Sequence, residues 1–164
     1  MSRIVVVSGN PRPGSRTSAL AIAVGEAIAG RTGGFPPTVI EVGELGPGLL
    51  TPGDEATAAA VALLREAEIL VVATPTYKGS YTGVLKVLLD QLPAQALAGK
   101  RAVPVVTAGV APQAAAAEGL LRQLLTELGA DVGAGLPVVE ADLPESKAIA
   151  DRYAETEHGG NPGR

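Results

Sequence analysis

Short apolar runs rich in Val and Ile alternate with stretches whose apolar residues recur every three or four positions, and the alternation repeats five times. The runs are RIVVVSG (3–9), TVIEV (38–42), ILVVATP (69–75), AVPVVTAG (102–109) and LPVVEADL (136–143). Three are apolar at successive positions, the pattern of parallel strands covered on both faces. Between them, Leu20, Val24 and Ala27/Ile28 keep helical spacing, as do Ala56, Ala60 and Leu63/Leu64, then Leu85, Leu88/Leu89 and Leu92, then Leu120/Leu121, Leu124/Leu125 and Leu128. PESKAIADRYAETE (144–157) predicts a shorter, more polar closing helix. Gly30 and Gly33/Gly34 mark the end of the first helix and Gly129 the end of the fourth. Alternation of this kind predicts an α/β fold, a five-stranded parallel sheet with helices on both faces.

The length of 164 residues and 46% hydrophobic composition suit one domain with a substantial core, expected over 1–157, and are too little for two. The HGGNPGR end, 158–164, is expected to be disordered, with His158 a solvated residue. A net charge of -4 without a Lys/Arg cluster argues against nucleic acid as a partner. With no cysteine, disulfides, thiolate metal sites and a Cys nucleophile are excluded. MSRIVVVSGN turns polar after a short apolar run, and no stretch approaches the roughly 20 apolar residues of a membrane span. A first strand, no membrane association and a cytoplasmic location are therefore expected.

In open parallel sheets, ligands bind beyond the carboxyl ends of the strands, which directs attention to residues 9–18, 75–83 and 107–113. The first of these, GNPRPGSRTS, has the G-x-x-x-x-G spacing of a triphosphate loop. Ser15-Arg16 stands where that loop needs Lys followed by Ser or Thr. What it offers instead is Arg12, Arg16, the hydroxyls of Ser15, Thr17 and Ser18, and free N–H groups at a helix start, a set suited to a terminal monophosphate without a metal. A capping role for Ser15 or Thr17, with solvated arginines, is the plainer alternative. G-x-G-x-x-G is absent, which disfavours a tightly held dinucleotide.

Two of the chain's four aromatic residues, Tyr77 and Tyr81, lie in TPTYKGSYTGVLKVLLD. Pro75, Thr76 and Tyr77 after a buried strand offer a flat surface for a planar heterocycle, with Lys78 as a nearby cation; a turn whose tyrosines pack on neighbouring loops or on another subunit is the alternative. Lys86 and Asp90 have the spacing of a surface ion pair. Thr107, Ala108, Gly109 and Val110 supply N–H groups and little bulk, letting a ring edge approach the backbone.

SGNPRPGSRTSALA and ATPTYKGSYTGVLKVLLDQLPAQALAGKRAVPVVTAGVAP together resemble the flavodoxin-like NADPH-dependent FMN reductases, in particular the branch that supplies reduced flavin to two-component alkanesulfonate-type monooxygenases. The similarity covers roughly residues 3–133. It implies a three-layer sandwich with strand order 2-1-3-4-5. It also implies FMN and NADPH or NADH as cofactors, a homodimer or homotetramer, and a flavin-dependent monooxygenase as partner. By position it assigns the FMN phosphate to Asn10, Arg12, Ser15, Thr17 and Ser18. Pro75, Thr76, Tyr77 and Lys78 then border the isoalloxazine, and Thr107 to Val110 meet its pyrimidine edge. Asn10 stands where the family usually has Ser, TAGV replaces a Gly-Gly loop, and Gly119 replaces an aromatic residue of the alkanesulfonate branch. Hydride transfer between two cofactors needs no side-chain acid or base, so no catalytic residue is assigned. The competing expectations are a quinone- or azo-type reductase that retains FMN and a flavodoxin-type electron carrier without enzymatic activity.

Overall fold

The computed structural model describes residues 3–158. The elements in order are β1 (Ile4–Ser8), α1 (Arg16–Thr32), β2 (Thr38–Glu41), α2 (Val42–Leu45), a 3-10 turn (Gly46–Leu50) and α3 (Glu55–Glu66). There follow β3 (Ile69–Pro75), α4 (Gly83–Leu89), β4 (Arg101–Ala108), α5 (Ala111–Glu127), β5 (Asp131–Val132), β6 (Leu136–Val139), a second 3-10 segment (Glu140–Glu145) and α6 (Ser146–His158). All strand pairings are parallel, in the order β2-β1-β3-β4-β5, with β6 also on β4.

The uninterrupted apolar runs are the central strands: every residue of β1 and β3 is buried. Successive side chains point to opposite faces of a strand, so the sheet builds two cores. On one face Val5, Val7, Leu70, Val72 and Val106 pack with Leu64 of α3, Leu85 and Leu88 of α4, and Leu121 and Leu125 of α5. On the other, Ile4, Val6, Val71, Val103 and Val105 meet Leu20, Val24 and Ile28 of α1 and Ala150 and Tyr153 of α6. Gly25 lets α1 approach closely, since a Cβ there would stand 2.5 Å from Val6 Cγ2. Of the predicted glycine stops, Gly33/Gly34 and Gly129 are present, whereas Gly30 lies inside α1, which continues to Thr32. Gly33 adopts φ +66 after α1 and Gly34 N–H returns to the Ala29 carbonyl, while Gly129 has φ +95 beyond α5.

Two expectations are corrected. The expected fifth strand, 136–143, pairs with β4 only through Val139, because β4 itself ends at Ala108, the partner of Val139; residues 140–143 turn into 3-10 structure instead. A sixth, two-residue strand precedes it, so the edge strand comes in two pieces. The break has a cause in β4. The carbonyls of Lys100 and Ala102 face the edge, accepting from Asp131 and Gly133 N–H, so an N–H at residue 104 would face the same way. Pro104 has none. The Gly133 carbonyl that such an N–H would have met accepts from Arg122 Nη2 at 2.9 Å, and the next carbonyl, that of Ala134, accepts from the Tyr153 hydroxyl at 2.5 Å. His158, expected to be solvated, is the last residue of α6 and is partly buried beside the Tyr153 ring; 159–164 lie outside the described residues. Among the described residues no helix is long and apolar enough to cross a membrane.

Candidate active site

The loops after β1, β3 and β4 meet at the carboxyl edge of the sheet. The first is tied down at its root. Gly9 N–H donates to the Ala73 carbonyl at 2.7 Å, and the Gly9 carbonyl accepts from Thr82 Oγ1, the N-cap of α4, at 2.6 Å. No side chain fits at position 9, where a Cβ would stand 2.8 Å from Leu85 Cβ. Asn10 is buried and its Oδ1 accepts the Arg12 N–H at 2.9 Å, an Asx turn that shapes the loop from within. The loop then crosses α2 at Gly43, where a Cβ would lie 2.7 Å from the Pro11 carbonyl carbon and 2.9 Å from the Asn10 carbonyl oxygen.

Gly14, at φ +70, turns the chain into α1. Ser15 is the N-cap, its Oγ accepting Ser18 N–H at 3.1 Å. The next residues, Arg16 and Thr17, hold N–H groups with no acceptor inside the helix, at the positive end of its dipole. Thr17 and Thr107 are buried and share a hydrogen bond between hydroxyls, 2.8 Å long, that joins the start of α1 to the end of β4.

The second loop is a tight hairpin: Tyr77 and Ser80 exchange backbone hydrogen bonds, and Lys78 and Gly79 take φ +53 and +82. Successive positive φ values are those of a type I′ turn, where Gly79 is at ease and Lys78 is strained. The turn holds the Tyr77 ring at the rim, 44% exposed. Tyr81 packs against the core on the α4 face instead. Thr76 Oγ1 donates to the Thr107 carbonyl at 2.8 Å, linking the second loop to the third.

Between these loops lies a cleft of about 420 Å³, within the range of small-molecule sites. Seven of the thirteen expected site residues line it: Asn10, Arg12, Ser15, Thr17, Pro75, Tyr77 and Thr107. Ser18 does not; it is buried beneath the loop. Thr76, Lys78, Ala108, Gly109 and Val110 stand on the same edge but outside the cleft wall, with Ala108 buried and Val110 52% exposed. Arg16 joins the wall, as do Glu140 and Leu143 from the 3-10 segment after β6. The apolar pattern of 136–143 reads as one strand and hides the last two, which the 3-10 segment turns into the wall. The available signal was the Ala-Asp-Leu-Pro turn chemistry following Val139. Lys86 and Asp90 form their ion pair at 2.7 Å on α4.

The donor set fits FMN. One end of the cleft combines two exposed guanidinium groups, the Ser15 hydroxyl and two free N–H groups, matching a terminal phosphate; the other presents Pro75 and Tyr77, matching a flat ring.

The family model for NADPH-dependent FMN reductase matches residues 2–141. The chain is 33% identical to the FMN reductase (NADPH) of Escherichia coli (strain K12) over 137 residues, 78% of this chain and 68% of that protein. It is 36% identical to the NADH-dependent FMN reductase SfnF of Pseudomonas putida over 111 residues, 65% of this chain and 58% of that protein. Among solved structures, the apo form of an NADH:FMN oxidoreductase (EMOB) superposes with a TM-score of 0.80 at 32% identity, covering 99% of this chain and 93% of that one. With a flavodoxin-like sheet and a family match that spans all three loops around the cleft, this chain belongs to the NADPH-dependent FMN reductase family, as an FMN- and NAD(P)H-using flavin reductase.

Proposed function

We propose that the protein treats FMN as an exchangeable substrate and releases reduced flavin to a separate flavin-dependent monooxygenase. The carrying observation is the polarity of the cleft, with Arg12, Ser15 and Arg16 at one end and Pro75 and Tyr77 at the other. When bound, FMN supplies the hydride-accepting ring and the nicotinamide nucleotide supplies the hydride. The chain's own work is binding and orientation. Arg12, Arg16, Ser15 and the N–H groups of Arg16 and Thr17 hold the phosphate. Pro75, Thr76, Tyr77 and Lys78 border the isoalloxazine, and the backbone from Thr107 to Val110 meets its pyrimidine edge. Asn10 and Thr17 act mainly through their internal hydrogen bonds, which hold the loop in shape.

Exchange rather than retention is supported by the exposure of both arginines. Charge pairs formed in open solvent contribute about 0 to 1 kcal/mol each, so the phosphate end grips without locking. A homodimer or homotetramer is part of the same reading, supported by apolar side chains left in solvent, Leu50 at 79% and Leu120 at 41%.

The test is steady-state oxidation of NADPH and of NADH with and without free FMN in molar excess, followed by rapid filtration of the reduced mixture. The expected result is FMN-dependent turnover far beyond one equivalent, with reduced flavin in the filtrate. Turnover with reduced flavin retained by the protein contradicts the supply role, and no oxidation of either nucleotide contradicts the reductase assignment for this cleft.

A further inference from the structure

The hydroxyl of Ser18 is fully committed beneath the first loop. It donates to Glu41 Oε1 at 2.5 Å, with Ser8 Oγ at 2.5 Å and Ser15 Oγ at 3.0 Å. A hydroxyl has one proton and two lone pairs. With its proton on the carboxylate, Ser18 can only accept from its serine neighbours, so a single acidic residue sets the direction of a three-serine chain: Ser8 donates to Ser18, and the Ser15 proton rests on Ser18 until a ligand in the cleft takes it. The other oxygen of the same carboxylate, Oε2, takes the Gly14 N–H at 2.5 Å. Glu41 thus reaches the loop at two points, the left-handed turn at Gly14 and, through Ser18, the helix cap at Ser15. Gly14 and Ser15 line the cleft, whereas Glu41, Ser18 and Ser8 do not. The carboxylate sits behind the loop rather than in the ligand's place. Its position there follows from the fold, since Glu41 ends β2 in register with Ser8 of β1.

We propose that Glu41 is a positioning residue for the flavin phosphate. By holding the Gly14 N–H and the Ser18 hydroxyl together, it fixes the turn from Gly14 into Ser15 and aims the N–H groups of Arg16 and Thr17 into the cleft. Ser18 belongs to this support and not to the phosphate ligands. The inference rests on reading the first loop as the FMN phosphate site. The carboxylate matters because it only accepts, and both groups facing it are donors. An amide of the same shape presents one acceptor and one NH₂, so Glu41→Gln either sets the NH₂ against the Gly14 N–H or, turned the other way, makes Ser18 accept from it and reverses the serine chain.

The experiment titrates FMN and riboflavin, which lacks the phosphate, into the wild type, Glu41→Gln, Ser18→Ala, their double variant and Arg12→Ala, with flavin fluorescence as the readout. Expected for Glu41→Gln is a Kd for FMN weakened about tenfold, the loss of one charge-assisted hydrogen bond, with riboflavin unchanged. Unchanged riboflavin binding also reports that the variant is folded. Ser18→Ala is expected to show the same phosphate-selective loss, and the double variant no more than the larger single loss, because one network is broken twice. Equal weakening of both flavins, or FMN binding unchanged or tighter in Glu41→Gln, overturns the role of Glu41. If Arg12→Ala shows the selective loss and Glu41→Gln does not, the loop reading stands and this inference falls; if neither shows it, both fall.

Discussion

Arg12 follows the buried Asn10 turn, is exposed to solvent and lines the cleft. Removing its guanidinium by Arg12→Ala is expected to weaken FMN by up to about 1 kcal/mol, the range for a charge pair formed in open solvent, and by less at high salt. Riboflavin should bind wild type and variant alike, and isothermal titration of both flavins at two salt concentrations checks this. At this scale the sequence was informative about residue types and less so about their directions. The hydroxyls and arginines of the first loop were legible as donors suited to a phosphate, and seven of thirteen expected residues line the cleft. Which hydroxyl faces the ligand was not visible, because Ser15 and Ser18 differ only by which side of one helical turn they occupy. Ser18 meets Glu41, 23 positions away, and no local pattern announces that contact. Tyr81 and Tyr77 were equivalent as aromatic residues near a strand end, yet the hairpin turns one to the rim and the other to the core.

The elements follow from periodicity wherever burial is two-sided, as in β1 and β3, and fail at the edge, where local chemistry decides. Pro104 is the clearest case. Its missing N–H interrupts the edge strand opposite it, where two side chains from different helices, Arg122 and Tyr153, satisfy the carbonyls of Gly133 and Ala134. The proline was legible in AVPVVTAG, but its consequence lies in the neighbouring strand. Burial, assisted by the nearby charge of Glu157, pushes the Tyr153 hydroxyl up to about 12 from its ordinary 10.0, with Arg101 and Arg122 opposing. A raised value in the folded state means that the fold favours the protonated form. Its contribution is complete below pH 10 and is lost as pH rises from there through about 12. Urea midpoints should therefore fall across that window. Tyr153→Phe is expected to be less stable at pH 7 by about 1 to 3 kcal/mol, since the Ala134 carbonyl loses its donor, and to fall less steeply between pH 10 and 12. An equal alkaline slope in both proteins would contradict the assignment.

In the whole molecule, the two cores on opposite faces of the sheet hold three loops at one edge, and the hydrogen bonds among those loops make them a unit. Gly9 is bonded to β3 and to the cap of α4, Thr17 to Thr107, and Thr76 to the Thr107 carbonyl. The sheet order and the edge that carries the cleft were legible because alternating strands and helices leave few topologies. The wall contributed by Glu140 and Leu143 was not, since it depends on where β4 stops pairing. The most polar part of this edge is expected to receive the flavin's phosphate. A crystal structure with FMN tests that directly. The predicted result is the phosphate within hydrogen-bonding distance of the Arg16 and Thr17 N–H groups and of Arg12, with the ring toward Pro75 and Tyr77; a flavin whose phosphate lies away from the Gly14 to Thr17 turn would contradict it.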